Sequence, residues 1–474
     1  MLHPPRYSVA AVHHDTGVPT SSSSSSSTTT TTTTTPPTNA HAVPLALTFS
    51  RDGSILFAAQ TDSSLLLYNT TTSKQINVFR QLEMGVSLVE PTHQKFGVIC
   101  APARTGHRPF RQKKMPKIDA NRLFCWDVYS NSVVGFLKGH TNDIQSMDVC
   151  DIDETVLSTD IMGQVRLWDI RAGSNCVAMM ESSSSTAPCA AAFNSTGTLL
   201  GIAGVDDQHR PQVNFFDRRA LVNGPVSTTH HKEWDQKSTP KAKGGYGSMN
   251  GFSRIKFSPD SQMVVVTPYE MPNAPSRKRE ERPPLHTVLS LNEGNPHQQE
   301  DGDSLYAVED DLGDDVKRWY RPEASFSKDS KYIIFGDEGK NIQVWGKGTG
   351  DSADGADGET ESSTQRAGNG GGEGKKGGLR RCAVWRGHIS TIGPIRWSPT
   401  MDLVASGGGN LLMWLPDNSA ALESAASPAG DSLTSPPATG HPTSSIHIAS
   451  ALGNNHLAKS ALRAPPLKSA MKKH

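Results

Sequence analysis

The residues of this 474-residue chain that could do chemistry are two histidine pairs, six cysteines, one carboxylate cluster and one glycine-rich run. His13-His14 and His230-His231 are adjacent pairs, read as solvated loop histidines in preference to metal ligands. Cys100, Cys125, Cys150, Cys176, Cys189 and Cys382 form no Cys-x-x-Cys pair and several fall inside expected strands. They read as buried thiols of a reducing compartment rather than as disulfides or zinc ligands. Glu309, Asp310, Asp311, Asp314 and Asp315 make an acidic surface loop, with a docking patch for a basic partner as the alternative. Gly370 to Gly378 lies in a polar insertion, not between a strand and a helix, so it does not cradle phosphate. No Gly-x-Ser-x-Gly elbow and no His-Glu-x-x-His occurs. We therefore expect no catalytic residue, no cofactor and no metal. One constellation has a different use. Gly139-His140 opens a stretch that Trp168-Asp169 closes. A loop histidine can donate to a polar group near one strand while the tryptophan anchors another, so their chemistry is a hydrogen-bonded clamp.

The elements that must hold this clamp are short strands. In Leu137 to Arg171 the pattern predicts a strand at 144–150, a turn at 151–154, a second strand at 156–159, a tight turn at 162–164 and a third strand at 165–168. Ile144, Ser146, Asp148 and Cys150 should point one way, Gln145, Met147 and Val149 the other. This is the grammar of a WD repeat, which makes one four-stranded propeller blade of roughly 40–45 residues. Met162 stands at the turn position that usually holds an aspartate, so the polar network of this blade is expected to be incomplete.

The pattern recurs along the chain. Leu45 to Phe79 is a first repeat, with Tyr68-Asn69 in place of Trp-Asp. A second, looser repeat holds Val86–Val89, Phe96–Cys100, Leu123–Asp127 and Val133–Leu137, interrupted by a basic insertion at Arg104 to Lys117. The fourth repeat contains Cys189–Val205 and Val213–Asp217, the fifth Ser253–Pro268 and Leu285–Leu291, and the sixth Glu323–Trp345. The seventh opens at Gly387-His388 and ends at Asp417, with Trp414 in its last strand. Turn marks at Ser50–Gly53, Ser258–Asp260, Ser327–Asp329 and Ser398–Thr400 fall at the same place in four blades. The seventh repeat has only three strands, and the isolated strand within residues 1–14 can supply its fourth and close the ring. The expected fold is therefore all-β, a seven-bladed WD-repeat β-propeller over 41–418. A Ser/Thr tract at 15–40, insertions near 101–120, 230–248, 270–284 and 348–378, and a tail at 419–474 are expected to be disordered. Lys+Arg and Asp+Glu both number 47, which gives no reason to expect nucleic acid or a membrane surface. No apolar run is long enough for a membrane span and no signal peptide is recognised, so a soluble intracellular protein is expected.

Within this frame GPIRWSP and VASGGGNLLMWLPD, at the end of the ring, resemble the last blade of the WD-repeat protein 82/Swd-two family. The stretches FLKGHTNDIQSMDVCDIDETVLSTDIMGQVRLWDIR and PEASFSKDSKYIIFGDEGKNIQVW resemble that family's third and sixth blades. The resemblance covers most of Leu45 to Asp417; the insertions, the Ser/Thr tract and the tail depart from it. It implies a non-catalytic nuclear scaffold subunit, monomeric within a hetero-complex. The implied partners are a SET-domain histone methyltransferase, a protein phosphatase 1 targeting subunit, or both, acting on chromatin and on RNA polymerase II termination.

Independently of that, propellers bind partners through loops. Trp319, Tyr320 and Arg321, entering the sixth blade, have the composition of a binding hot spot, although Trp319 or Tyr320 packing on a neighbouring blade is the plainer reading. Tyr246, Asn250 and Phe252, entering the fifth, are weaker candidates. Arg277-Lys278-Arg279 and Arg111 to Lys117 are short basic clusters, readable as import signals or as solvated loop charge. A competing reading comes from Trp168-Asp169-Ile170-Arg171, which resembles the motif by which WD substrate receptors dock on a cullin-type ubiquitin ligase.

Overall fold

The computed structural model describes residues 7–13, 42–80, 85–103, 121–171, 175–181, 187–208, 210–230, 234, 251–269, 285–291, 303–305, 322–337, 340–347 and 379–416. They form seven four-stranded antiparallel sheets. The first strands of the blades are Pro44–Phe49, Leu88–Pro91, Ile144–Val149, Ala190–Phe193, Phe252–Phe257, Ala324–Phe326 and Ile395–Trp397, and they surround the centre of a ring. The N-terminal strand Tyr7–His13 pairs antiparallel with Leu411–Pro416, so the seventh blade takes its outer strand from the start of the chain.

Burial explains why these segments are strands of this composition. In blade 1 the strands Pro44–Phe49 and Ile55–Gln60 are buried along their whole length, while the fourth strand, Lys74–Phe79, is mostly exposed. A strand sandwiched between two neighbouring blades is dry on both faces, so it reads as a near-continuous apolar run instead of an alternation. The core accordingly comes in seven apolar clusters, one between each consecutive pair of blades. The cluster joining blade 7 to blade 1 sets Leu403, Ala405 and Met413 against Leu47, Leu56 and Tyr68. Closure is thus made by the same burial as every other blade interface.

Bulges recur at equivalent places. The register between third and fourth strands slips at Leu67/Tyr68, Cys125/Trp126, Leu167/Trp168 and Val344/Trp345. Each slip falls at the aromatic residue of its strand, where a bulge adds twist and re-aims the ring. A second bulge, between Ile144 and Ser146, corrects the expected facing of the first strand of blade 3. It breaks the alternation, so Ile144 joins Met147 and Val149 in the core shared with blade 2, while Cys150 packs toward blade 4. The cysteine reading also needs correction in part. Cys100, Cys125, Cys150 and Cys189 are buried, but Cys176 is exposed and Cys382 half-buried, because both lie on outer strands.

The four marked turns are built alike. Ser50, Ser258 and Ser327 each donate a hydroxyl to the aspartate two residues on, at 2.5–2.6 Å, and accept the backbone N–H five residues on. Ser398, which has Thr400 where the others have aspartate, accepts Met401 N–H instead. Asn194 does the same work in blade 4 with its side-chain carbonyl, accepting Thr198 and Leu199 N–H. These turns also touch one another around the ring. The contacts run Asp52–Lys95, His93–Glu154, Asp153–Arg218, Ser195–Ser261, Asp260–Ser330, Lys328–Asp402 and Thr400–Asp52. Each links consecutive blades, so one rim of the ring is fastened at all seven junctions.

Candidate functional site in the channel and its rim

The Gly-His and Trp residues expected to clamp blades 3 and 7 do so. Trp168 Nε1–H donates to Ser158 Oγ at 2.8 Å, and Ser158 Oγ lies 2.7 Å from His140 Nε2. In blade 7, Trp414 Nε1–H donates to Ser406 Oγ at 2.7 Å, with His388 Nε2 at 2.6 Å. Gly139 and Gly387 lie tight against the rings: a Cβ on either would sit 3.1 Å from the indole Cη2 of Trp168 or Trp414. Asp169 accepts the N–H of Arg171 at 2.9 Å in the turn beyond the strand.

The expected gap at Met162 is corrected. The network's carboxylate comes from Asp160, two residues earlier, which is fully buried and accepts the N–H groups of Met162 and Gln164 at 3.0 Å each. His140 Nδ1 faces Asp160 Oδ2 at 3.6 Å, too long for a hydrogen bond. Burial opposes ionisation of Asp160, but His140 and these N–H donors outweigh it and hold the carboxyl below its ordinary range. The side chain of Met162 need supply nothing, because its backbone supplies the turn.

The loop residues proposed from sequence as partner contacts, Trp319, Tyr320, Arg321, Tyr246 and Asn250, lie outside the described residues, as do His14 and the acidic cluster at 309–315. What sequence reading missed is the channel. The structure brings three acidic side chains together there with three basic ones. The seven channel-facing positions are Thr48, Glu90, Asp148, Ala192, Lys256, Ser325 and Arg396, one from each first strand. Arg396 Nη2–H donates to Glu90 Oε1 at 2.9 Å, and Thr48 donates to Glu90 Oε2 at 3.2 Å. One layer away, Arg254 Nε–H donates to Glu323 Oε1 at 2.8 Å, and Arg396 stands 3.7 Å from its other oxygen. Burial raises the Glu323 pKa, but the Arg396 and Arg254 guanidinium groups outweigh that and hold the carboxyl below its usual range. Asp148 differs. Its Oδ2 accepts Phe193 N–H at 2.8 Å, and burial pushes its pKa up to about 6, with Lys256 opposing and Glu90 adding to the rise. The seven channel-facing residues line a cavity of about 530 Å³ that faces the rim of fastened turns. Part of this was marked in the sequence: Glu90, Lys256 and Arg396 stand two residues before Thr92, Ser258 and Ser398, the polar residues that start their turns.

Comparison with known proteins follows the geometry. No protein-family model matches the chain. It is 30% identical over 186 residues to the Set1 complex component swd2 of Schizosaccharomyces pombe, covering 38% of this chain and 46% of that protein. It is 20% identical over 380 residues to WD repeat-containing protein 82 of Drosophila melanogaster, covering 80% of this chain and 92% of that protein. The chain thus matches less than half the length of the first relative and nearly the whole ring of the second.

Proposed function

We propose that this chain, a member of the WD-repeat protein 82/Swd2 family, is a non-catalytic scaffold subunit of nuclear chromatin and transcription complexes. The complexes are a histone lysine methyltransferase assembly, a phosphatase-containing RNA polymerase II termination assembly, or both. The observation that carries this reading is the likeness to a relative named as a Set1 complex component. The fold is compatible with it: a ring closed by seven equivalent cores offers partners a rigid frame, and four of the six charged groups at the channel sit in close opposite-charge contacts. Its mechanism is presentation of loops, with Trp319, Tyr320 and Arg321 and the weaker pair Tyr246 and Asn250 as the proposed contacts.

Affinity purification of the tagged chain from nuclear extract, washed at high salt, tests this. Recovery of a SET-domain methyltransferase or a phosphatase 1 targeting subunit is the expected outcome and says which branch is served. The competing reading is favoured by one observation: Arg171 is exposed in the turn after Asp169, where a docking partner can reach it. Recovery of a cullin and its adaptor, lost on Arg171→Ala, would replace the scaffold reading with that of a ubiquitin-ligase receptor.

A further inference from the structure

We infer that the cavity at the fastened rim is a dipolar binding site for a peptide segment that carries a basic and an acidic side chain close together. It rests on the scaffold reading only in taking a peptide as the ligand. Charge of the two signs is segregated around the cavity. Glu90, Asp148 and Asp151 lie on the side of blades 2 and 3, and Lys256, Lys328 and Arg396 on the side of blades 5 to 7. A field therefore runs across the opening instead of cancelling within it.

Most of these charges already have close partners. Arg396 is bound to Glu90, Lys328 to Asp402 at 2.7 Å, and Asp151 to Arg51 of blade 1. Asp148 has no such partner among the described residues, and Lys256 has only a longer, shared one. Asp148 has one hydrogen bond, from the backbone of Phe193, and no ion pair among the described residues. Lys256 has three donors, and its nearest acid is Glu90 at 3.6 Å, through an oxygen that Arg396 already occupies. Between them, on blade 4, the channel-facing residue is Ala192, whose methyl leaves the wall open where every other position carries a polar or charged side chain. Two under-compensated charges of opposite sign flank a small residue. A cation entering from the rim completes Asp148, and an anion beside it completes Lys256. A ligand bearing one charge meets its complement on one side and a like charge on the other. The volume of about 530 Å³ admits two such side chains, and falls in the ordinary range of ligand pockets.

Isothermal titration of the purified full chain with four capped peptides tests this: acetyl-Gly-Arg-Glu-Gly-amide and its Arg-Gln, Gln-Glu and Gln-Gln counterparts. The doubly charged peptide is expected to bind at least about ten-fold more tightly than Gln-Gln. Asp148→Asn should erase the advantage of Arg over Gln, and Lys256→Met that of Glu over Gln, each with an unchanged melting temperature. Equal binding of all four by the wild-type chain, no binding at millimolar concentration, or a preference that follows only one of the two charges overturns the inference. The wild-type selectivity decides the matter even if a variant fails to fold. Purification of complexes reads the scaffold function and this titration reads the channel, so either can fail alone.

Discussion

Blades 3 and 7 solve one problem with different parts. In both, a glycine lets the loop lie against an indole, a histidine stands 18 residues before a serine, and the serine hydroxyl joins the imidazole to the indole N–H. Indole can only donate, so each serine oxygen accepts from its tryptophan; each imidazole Nδ1 faces an acceptor oxygen, so Nε2 is left to accept the serine O–H. The proton of each imidazole therefore sits on Nδ1, and here the blades part. In blade 3, Nδ1 faces the carboxylate of Asp160; in blade 7, it donates to the neutral Oδ1 of Asn410 at 3.1 Å. The serine-to-tryptophan spacing is 10 residues in one and 8 in the other, so the turn between the strands differs while the clamp is kept. The geometry belongs to the repeat, and the charge is optional.

The largest effect should come from removing the shared anchor. Trp168 and Trp414 are each almost wholly buried. Trp414 packs within 5.9 Å of the Trp385 ring, at the blade that joins the two ends of the ring. Trp414→Ala and Trp168→Ala are each expected to cost about 3–5 kcal/mol, with Trp414 at the upper end. Urea unfolding measures this, and a loss near zero for either would remove its claim to anchor a blade. Next in size is the hydroxyl. Ser158→Ala or Ser406→Ala leaves an imidazole nitrogen and an indole N–H unpaired in a buried site, for about 2–4 kcal/mol. The comparison requires similar losses in the two blades; a large inequality would mean that Asp160 or Asn410 takes over the abandoned donors in one of them.

What the sequence made legible follows the same division. The blade pattern could be read because strands buried on both faces must be apolar and their turns must be polar, and Ser50, Ser258 and Ser327 repeat the same turn chemistry. Asp160 was misjudged because the turn aspartate was sought at Met162, and a two-residue offset inside a tight turn leaves no mark in hydrophobic periodicity. Ile144 was misplaced because a bulge changes the facing of a side chain without changing the residues around it. The channel was missed for a different reason. Glu90, Asp148, Lys256 and Arg396 come from four different strands, separated by long stretches of chain, and only ring closure brings them together. The candidate contacts Trp319, Tyr320 and Arg321 rest on composition alone and lie outside the described residues.

The smallest expected effect is the sharpest test of the charge difference. Burial pushes His388 down to about 4, with only the hydrogen bond to Asn410 opposing it. A folded pKa below the unfolded value of roughly 6.5 means that the unfolded chain binds the proton more readily. Stability is therefore lost as pH falls from about 6.5 toward 4, by at most about 3 kcal/mol, and is flat below that window. Burial lowers His140 as well, but the nearby Asp160 carboxylate opposes that drop. Asp160→Asn should thus turn blade 3 into a copy of blade 7: modestly destabilised at neutral pH, by about 1 kcal/mol, and with a steeper loss on acidification through the same window. Asn410→Asp should do the reverse and flatten the acid limb contributed by His388. Asp160 itself, held below its ordinary range, contributes stability that is present above the unfolded carboxylate pKa and is lost as pH falls through its lower folded value, so its own titration lies below the histidine window. Unfolding free energies on either side of the histidine window separate the two. Parallel acid limbs in the wild type and both variants would show that burial alone sets these imidazoles and that Asp160 is there for the turn.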